Sequence, residues 1–241
     1  MCTYYSPQSI CASRTIKVLD LNTYCEAVGT LNWAALATRP DIVFAVATVA
    51  HFAANPRPAH WKAVKRIFCY LSGTCNLWLT YGEASTPLKG YADADGSMAK
   101  DRCAISGYTF LIDGGAVSWS LKRQEIVSLS TTESKYVAAT HSSKEALWLR
   151  SLISEVFGNI TSPTTLFSDN QVAIALMCDH QYHLHTKHID MRYHWIRWVV
   201  EKGSIQLIYC LTDNMVANAL TKALPSAKVK HFATSLGLHA K

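Results

Sequence analysis

Several features that define common protein classes are missing from this chain of 241 residues. Charged side chains make up only 17% of it, yet no apolar run approaches the roughly 20 residues that a membrane-spanning helix needs. The longest candidate, residues 42–54, contains His51. The eight cysteines form no C-x-x-C pair, and the polar residues 1–14 lack the apolar core of a secretory signal. We therefore expect free thiols in a reducing compartment, no membrane partner and a cytoplasmic or nuclear location.

What the sequence does contain is enough apolar residues for a sizeable core and a modest excess of positive charge. Apolar residues make up 49% of the chain, which excludes disorder as its main state. Lysine and arginine exceed aspartate and glutamate by 23 to 17, a formal net charge of +6. This balance favours a polyanionic partner without identifying one.

The residues up to about Tyr81 favour a small, mainly helical region. Residues 22–38 predict one helix, a second begins near Pro40 and continues toward Ala54, and a third follows Pro58. The apolar residues of the third helix recur at helical spacing: Trp61, Val64, Phe68 and Leu71. Its basic residues share the other side: Lys62, Lys65 and Arg66. This basic face is compatible with phosphate contact or with an ordinary solvated surface.

After a polar joint at residues 82–90, the pattern changes to strands and helices. The predicted elements are strands over 91–95, 103–112 and 116–121, a helix over 130–157, a strand over 165–168, helices over 170–178 and 187–201, a strand over 205–211 and a closing helix over 216–224. Their order predicts an α/β fold in which a mixed five-stranded sheet with flanking helices follows the helical region. We expect two domains, residues 1–86 and 87–241.

Three acidic residues lie in or at the ends of these elements. Asp93 is inside the first strand, Glu133 is in the first turn of the long helix, and Asp169 follows the fourth strand. If the fold brings them together, their oxygens are suited to a pair of Mg²⁺ ions for phosphodiester cleavage. Each also has a structural alternative: Glu133 can form a capping box with Ser130, Asp169-Asn170 can cap the next helix, and Asp93 can be a solvated strand residue.

Short segments of the second region resemble, in order, the ribonuclease H (RNase H) domain of Ty1/copia-type retrotransposon Pol polyproteins. They are Gly90–Asp95, Ser106–Tyr108, Ala116–Trp119, Ser128–Glu133, Lys144–Leu149, Ser168–Gln171, Thr186–Asp190 and Leu220–Lys222. The stretches Thr38–Asp41 and His60–Leu71 resemble the C-terminal end of the reverse transcriptase, a thumb- or connection-like part that precedes that domain. The chain has no Asp-Asp pair, so we do not expect it to polymerise nucleotides by itself.

The resemblance implies an RNase H-like fold and a two-metal endonuclease that cuts the RNA strand of RNA/DNA hybrids with two Mg²⁺ or Mn²⁺ ions. By position, Asp93 matches the first acid, which bridges both ions, while Glu133 and Asp169 complete the leaving-group metal site. Asn218 stands where the family has the fourth acid, so the affinity for one ion should fall. Lys135 replaces the second glutamate of the helix motif. The expected partners are the hybrid and the rest of the polyprotein, including the reverse transcriptase palm and the integrase.

Other functions remain open from the residues. A catalytically decayed remnant that binds RNA/DNA hybrids is favoured by Asn218. An integrase-type transferase would carry its acids in the order Asp, Asp, Glu, whereas the order here is Asp, Glu, Asp. A histidine cluster allows either a zinc site, which no cysteine pair supports, or a role beside the substrate: His180, His183, His185 and His188.

Overall fold

The computed structural model describes residues 20–82, 86–96, 103–158, 160–178 and 195–240. Its helical region contains α1 (Leu21–Ala37), a short 3₁₀ turn that begins at Pro40, α2 (Val43–Ala50) and α3 (Pro58–Gly73). The side chain of Asp20 accepts hydrogen bonds from two backbone N–H groups at the start of α1, which is the usual way that a helix begins. The prediction of three helices is confirmed, although α2 ends before Ala54 because the chain turns there toward the next proline-rich segment.

The rest of the described chain forms strands and helices in nearly the predicted order. The elements are β1 (Leu77–Leu79), β2 (Lys89–Asp95), β3 (Cys103–Ile112), β4 (Gly115–Val127), α4 (Thr131–Phe157), β5 (Thr164–Ser168), α5 (Gln171–Cys178), α6 (Trp195–Glu201), β6 (Ile205–Tyr209), α7 (Asn218–Thr221), α8 (Ser226–Ser235) and β7 (Leu238–Ala240). The main sheet has the strand order β4-β3-β2-β5-β6. Strands β2, β3 and β4 are antiparallel neighbours, whereas β5 lies parallel to both β2 and β6. The predicted α/β fold, a mixed five-stranded sheet with flanking helices, is therefore confirmed.

Three parts of the structure differ from the sequence prediction. The closing helix predicted over 216–224 is only the single turn α7, and α8 follows it. Strands β1 and β7 pair with each other as a separate two-stranded sheet, and no alternation in such short segments predicts that pairing. Helical spacing places Val156 on the same face of α4 as Ala146 and Leu149 and predicts burial of all three, but Val156 is exposed whereas the other two are buried.

The main sheet is covered on both faces. A core beneath α4, α5 and α6 includes Phe110, Tyr136 and Leu166, all of them fully buried. On the opposite face, Trp119 and Leu121 of β4 pack against the core of the helical region. The indole N–H of Trp119 donates a hydrogen bond of 2.9 Å to the carbonyl oxygen of Ala35 in α1. The two predicted domains thus share buried apolar surface.

Two further features concern the expected cellular context. None of the helices in the described ranges is both long and apolar enough to span a bilayer. No disulfide joins any of the cysteines that the structure describes. The histidine cluster from His180 to His188 lies outside the described residues.

Candidate active site

Asp93 lies in the middle of the main sheet. It belongs to β2, which pairs with both β3 and β5, and the residue opposite it on β3 is Gly107. Its exposed fraction is 0%. The structure therefore contradicts the alternative of a solvated strand residue, and a buried carboxylate of this kind needs a charged or hydrogen-bonding partner.

Lys135 of α4 supplies that partner and joins Asp93 to Asp169. Its Nζ atom lies 2.8 Å from Oδ1 of Asp93 and also donates a hydrogen bond to Oδ1 of Asp169. The side chain of Lys135 is 11% exposed, and that of Asp169 is 4% exposed. The strand end after β5 and the middle of β2 are therefore brought together, as the sequence predicts, but a lysine lies between their carboxylates.

The other oxygens of the two carboxylates also have donors. The Oδ2 atom of Asp93 accepts a hydrogen bond from the Thr221 hydroxyl and lies 3.2 Å from Nζ of Lys222. The Oδ2 atom of Asp169 accepts from the Thr212 hydroxyl at 3.2 Å. All four carboxylate oxygens are thus occupied by side chains of the protein itself.

A glycine lets the turn α7 approach the sheet closely enough for these contacts. A Cβ atom on Gly107 would lie only 2.6 Å from Cγ2 of Thr221 and 3.0 Å from Cβ of Leu220. Only a residue without a side chain leaves room for α7 at this point of β3. The hydroxyl of Thr221 can consequently reach Asp93 on the neighbouring strand.

The electrostatics of the cluster follow from burial and opposite charge. Burial raises the pKa of Asp93, but the ammonium groups of Lys135 and Lys222 lower it by more, so the net pKa lies below its ordinary value. Burial likewise lowers the pKa of Lys135, and the two carboxylates raise it above its ordinary value. Both shifts favour the ionised forms of Asp93 and Lys135.

Asn218 is buried at the start of α7 and is already engaged at both ends of its amide. Its Oδ1 atom accepts a hydrogen bond of 2.6 Å from Nζ of Lys222, and its Nδ2 atom donates one of 2.7 Å to the carbonyl oxygen of Thr212. The predicted residue therefore borders the cluster through Lys222. The side-chain oxygen that was expected to bind a metal ion accepts the hydrogen bond from Lys222 instead.

Glu133 forms the capping box that the sequence allows as the alternative to metal binding. The hydroxyl of Ser130 accepts a hydrogen bond of 3.2 Å from the backbone N–H of Glu133, and Oε2 of Glu133 accepts one of 2.7 Å from the backbone N–H of Leu129. These contacts cap the start of α4. Glu133 and Lys135 are two residues apart, so their side chains leave nearly opposite sides of the helix. It is position 135 that faces the sheet.

The helix after β5 is capped by Asn170 and not by Asp169. The Oδ1 atom of Asn170 accepts a hydrogen bond of 2.8 Å from the backbone N–H of Ala173. Asp169 does not cap this helix and takes part in the cluster instead. Three residues that contact the aspartates were not predicted from the sequence: Thr212, Thr221 and Lys222. The prediction considered acidic residues, and these three carry hydroxyl or ammonium groups.

The residues present do not fit a pair of divalent cations. Within the described ranges, no group of three or more histidine, cysteine, aspartate or glutamate side chains is arranged to hold a metal ion. The charges of Asp93 and Asp169 are balanced by those of Lys135 and Lys222, so a dication would have to displace one ammonium and lie beside the other. Among the described residues, the two negative and two positive charges of this cluster cancel.

Lys222 also lines a neighbouring cavity of about 430 Å³ between the helical region and the segment that contains α7. Its walls are mainly apolar, with Phe44, Ile67 and Leu224 among them. Asp41 at its edge is held by Arg39 and by the hydroxyl of Tyr70. The cavity thus lies beside the cluster, and its polar groups are largely satisfied within the protein.

Comparison with known proteins gives clear sequence relatives. The chain is 43% identical over 220 residues to the retrovirus-related Pol polyprotein from transposon TNT 1-94 of Nicotiana tabacum, covering 90% of this chain and 16% of that protein. It is 34% identical to the Pol polyprotein from transposon RE1 of Arabidopsis thaliana, covering 92% of this chain and 15% of that protein. The chain therefore spans about a sixth of the length of these relatives. No family model matches it.

The structural comparison gives a more distant likeness. The chain is similar to LC11-RNase H1, solved in complex with an RNA/DNA hybrid, with a TM-score of 0.41 and 10% sequence identity. That likeness covers 56% of this chain and 94% of the solved chain.

Proposed function

Because the chain belongs to the family of retrovirus-related Pol polyproteins from copia-type transposons, we propose that it is an RNase H-like domain that binds RNA/DNA hybrids without cleaving them. The observation that carries this proposal is the position of Lys135, whose ammonium lies between the carboxylates of Asp93 and Asp169. Hydrolysis by two metal ions requires those oxygens as ligands. In this chain they bind lysines and hydroxyl groups.

Binding to a hybrid is supported by the family and by charge. The formal net charge of +6 favours contacts with phosphates. Two lysines near the cluster in sequence have partly exposed side chains: Lys222, directly after α7, and Lys228 in α8. A hybrid is distinguished from DNA by its 2′-hydroxyl groups and by its wide, shallow minor groove. We expect little sequence specificity and a strong dependence of affinity on salt.

The rest of a Pol polyprotein would supply the other activities. The relatives are about six times as long as the matched region, and a reverse transcriptase palm and an integrase are the partners that we propose for this domain. In such an assembly the domain would hold the hybrid that polymerisation produces.

The proposal is tested with a labelled RNA/DNA hybrid and a duplex DNA of the same sequence. We expect the purified protein to bind the hybrid more tightly than the DNA by fluorescence anisotropy, and to leave the RNA strand intact in Mg²⁺ or Mn²⁺. Equal affinity for both duplexes would overturn the assignment of hybrid binding. RNA cleavage that disappears in Asp93→Ala would overturn the absence of hydrolysis.

The second candidate is a metal-dependent endonuclease with Mg²⁺ or Mn²⁺ as its cofactor. It is favoured by the fact that Asp93 and Asp169 do share one cluster. The double variant Lys135→Glu/Asn218→Asp distinguishes the two candidates. If the present lysine and amide suppress hydrolysis, this variant should cleave the RNA strand while the unaltered chain does not.

A further inference from the structure

We propose that the ammonium of Lys135 is a tethered cation that takes the place of a divalent metal ion between Asp93 and Asp169. The inference rests on the proposed function, since both assign these residues to one cluster. It adds a distinct claim: the cluster is stable without metal, and the single substitution Lys135→Glu converts it into a site for one divalent cation.

The first argument is the need of the two aspartates for positive charge. Asp93 is completely buried and the side chain of Asp169 is 4% exposed. Two carboxylates that share one partner repel each other and lose hydration, and a cation between them offsets both costs. Lys135 supplies that cation with one Nζ atom that bonds to both.

The second argument is the route by which the cation reaches the cluster. Lys135 is fixed in the second turn of α4, which is anchored at its start by the Ser130 and Glu133 hydrogen bonds. Because the ammonium is covalently attached to α4, it cannot be lost from the protein as a bound ion can. A metal ion, in contrast, would be lost to a chelator.

The third argument is the direction of position 135. Because residues two apart on a helix do not share a face, a carboxylate at position 133 caps α4, whereas a carboxylate at position 135 would point toward Asp93 and Asp169. The variant Lys135→Glu therefore brings a third acid to the two that are present. Three convergent carboxylates with no ammonium between them provide hard oxygen ligands of the kind that Mn²⁺ and Mg²⁺ bind.

The test uses the full chain and Mn²⁺ alone, without nucleic acid. For the unaltered protein we expect the same thermal midpoint in chelator and in Mn²⁺, and no saturable heat of binding by titration calorimetry. For Lys135→Glu we expect a lower midpoint in chelator, a rise when Mn²⁺ is added, and saturable binding. Saturable Mn²⁺ binding by the unaltered protein that Asp93→Asn abolishes would overturn the proposal.

Two control variants separate a new metal site from a general effect of charge. Lys135→Gln removes the ammonium without adding an acid, so its midpoint should fall and Mn²⁺ should not restore it. Lys122→Glu makes the same charge change at an exposed lysine that pairs only with Glu125 among the ion pairs that the described residues show, and Mn²⁺ should leave its midpoint unchanged. A Mn²⁺ response of Lys122→Glu equal to that of Lys135→Glu would overturn the assignment.

The outcome remains informative if Lys135→Glu does not fold. The unaltered protein and Lys135→Gln then carry the test, because a tethered cation predicts no Mn²⁺ response in the former and a lowered midpoint in the latter. An unchanged midpoint of Lys135→Gln would overturn the proposal. Since no hybrid is present in any arm, failure of hybrid binding would leave these results unaffected.

Discussion

The charge of Asp93 is maintained by its neighbours, and this has a direct consequence for stability in acid. Burial raises the pKa of this carboxyl group, and the two lysine ammoniums lower it by more. The stabilisation that its charge provides is fully present above the ordinary carboxyl pKa of about 4. It is lost as the pH falls through the lower pKa of the folded state.

We therefore predict that the free energy of unfolding decreases on acidification below about pH 4, and decreases less steeply in Asp93→Asn than in the unaltered protein. Urea unfolding monitored across this pH range measures both slopes. Glu26→Gln is the control, because Glu26 is an exposed residue of α1 and does not belong to the cluster. Parallel curves for the unaltered protein and Asp93→Asn would contradict the prediction.

At the residue level, the sequence indicates which aspartates meet but not what lies between them. Asp93 and Asp169 follow from strand alternation and from the end of a parallel strand, and the structure does bring them together. Glu133 and Lys135 are both near the start of one helix, and the choice between them depends on the rotation of α4 relative to the sheet. That rotation is set by packing of Tyr136, Val137 and Ala139 in the core, which no local motif specifies.

The element that depends most on close approach is the turn α7. We predict that Gly107→Ala lowers the free energy of unfolding by about 1–3 kcal/mol, because the added methyl group collides with Thr221 and Leu220 and pushes α7 away from Asp93. Chemical denaturation measures this loss. Gly29→Ala in α1 is the control: nothing lies within 4 Å of its Cβ position, so it should stabilise the helix by about 0.5–1 kcal/mol. Equal effects of the two substitutions would contradict the steric argument.

At the element level, predictability depends on the length of the pattern. The long periodic segment of α4 and the hairpin of β3 and β4 were within reach of sequence reasoning, since their signals extend over many residues and include the Asp113-Gly114-Gly115 turn. Strands β1 and β7 pair across 161 positions of sequence at their central residues, Trp78 and His239. Their formation depends on tertiary contact and not on local alternation.

At the scale of the whole molecule, the helical region and the sheet share buried contacts, so we expect them to unfold as one cooperative unit. Leu220 of α7 belongs to the core of the helical region, and β1 at the end of that region pairs with β7. We predict that Val64→Ala in α3, which opens a buried site in a helix that packs on α1 and α2, costs about 2 kcal/mol and lowers amide hydrogen-exchange protection in β3 as well as in α1. Loss of protection in α1 alone would indicate that the two regions unfold independently.

Strand pairing and core packing position the framework around the acidic cluster. Asp93 is fixed by the sheet, Asp169 by the end of β5, and position 135 by the core face of α4. In the genetic code, every lysine codon becomes a glutamate codon, and every asparagine codon an aspartate codon, by one change of A to G at the first base. A single base change at position 135 or 218 would therefore alter the charge of the cluster while leaving in place the strands and the helix that carry it.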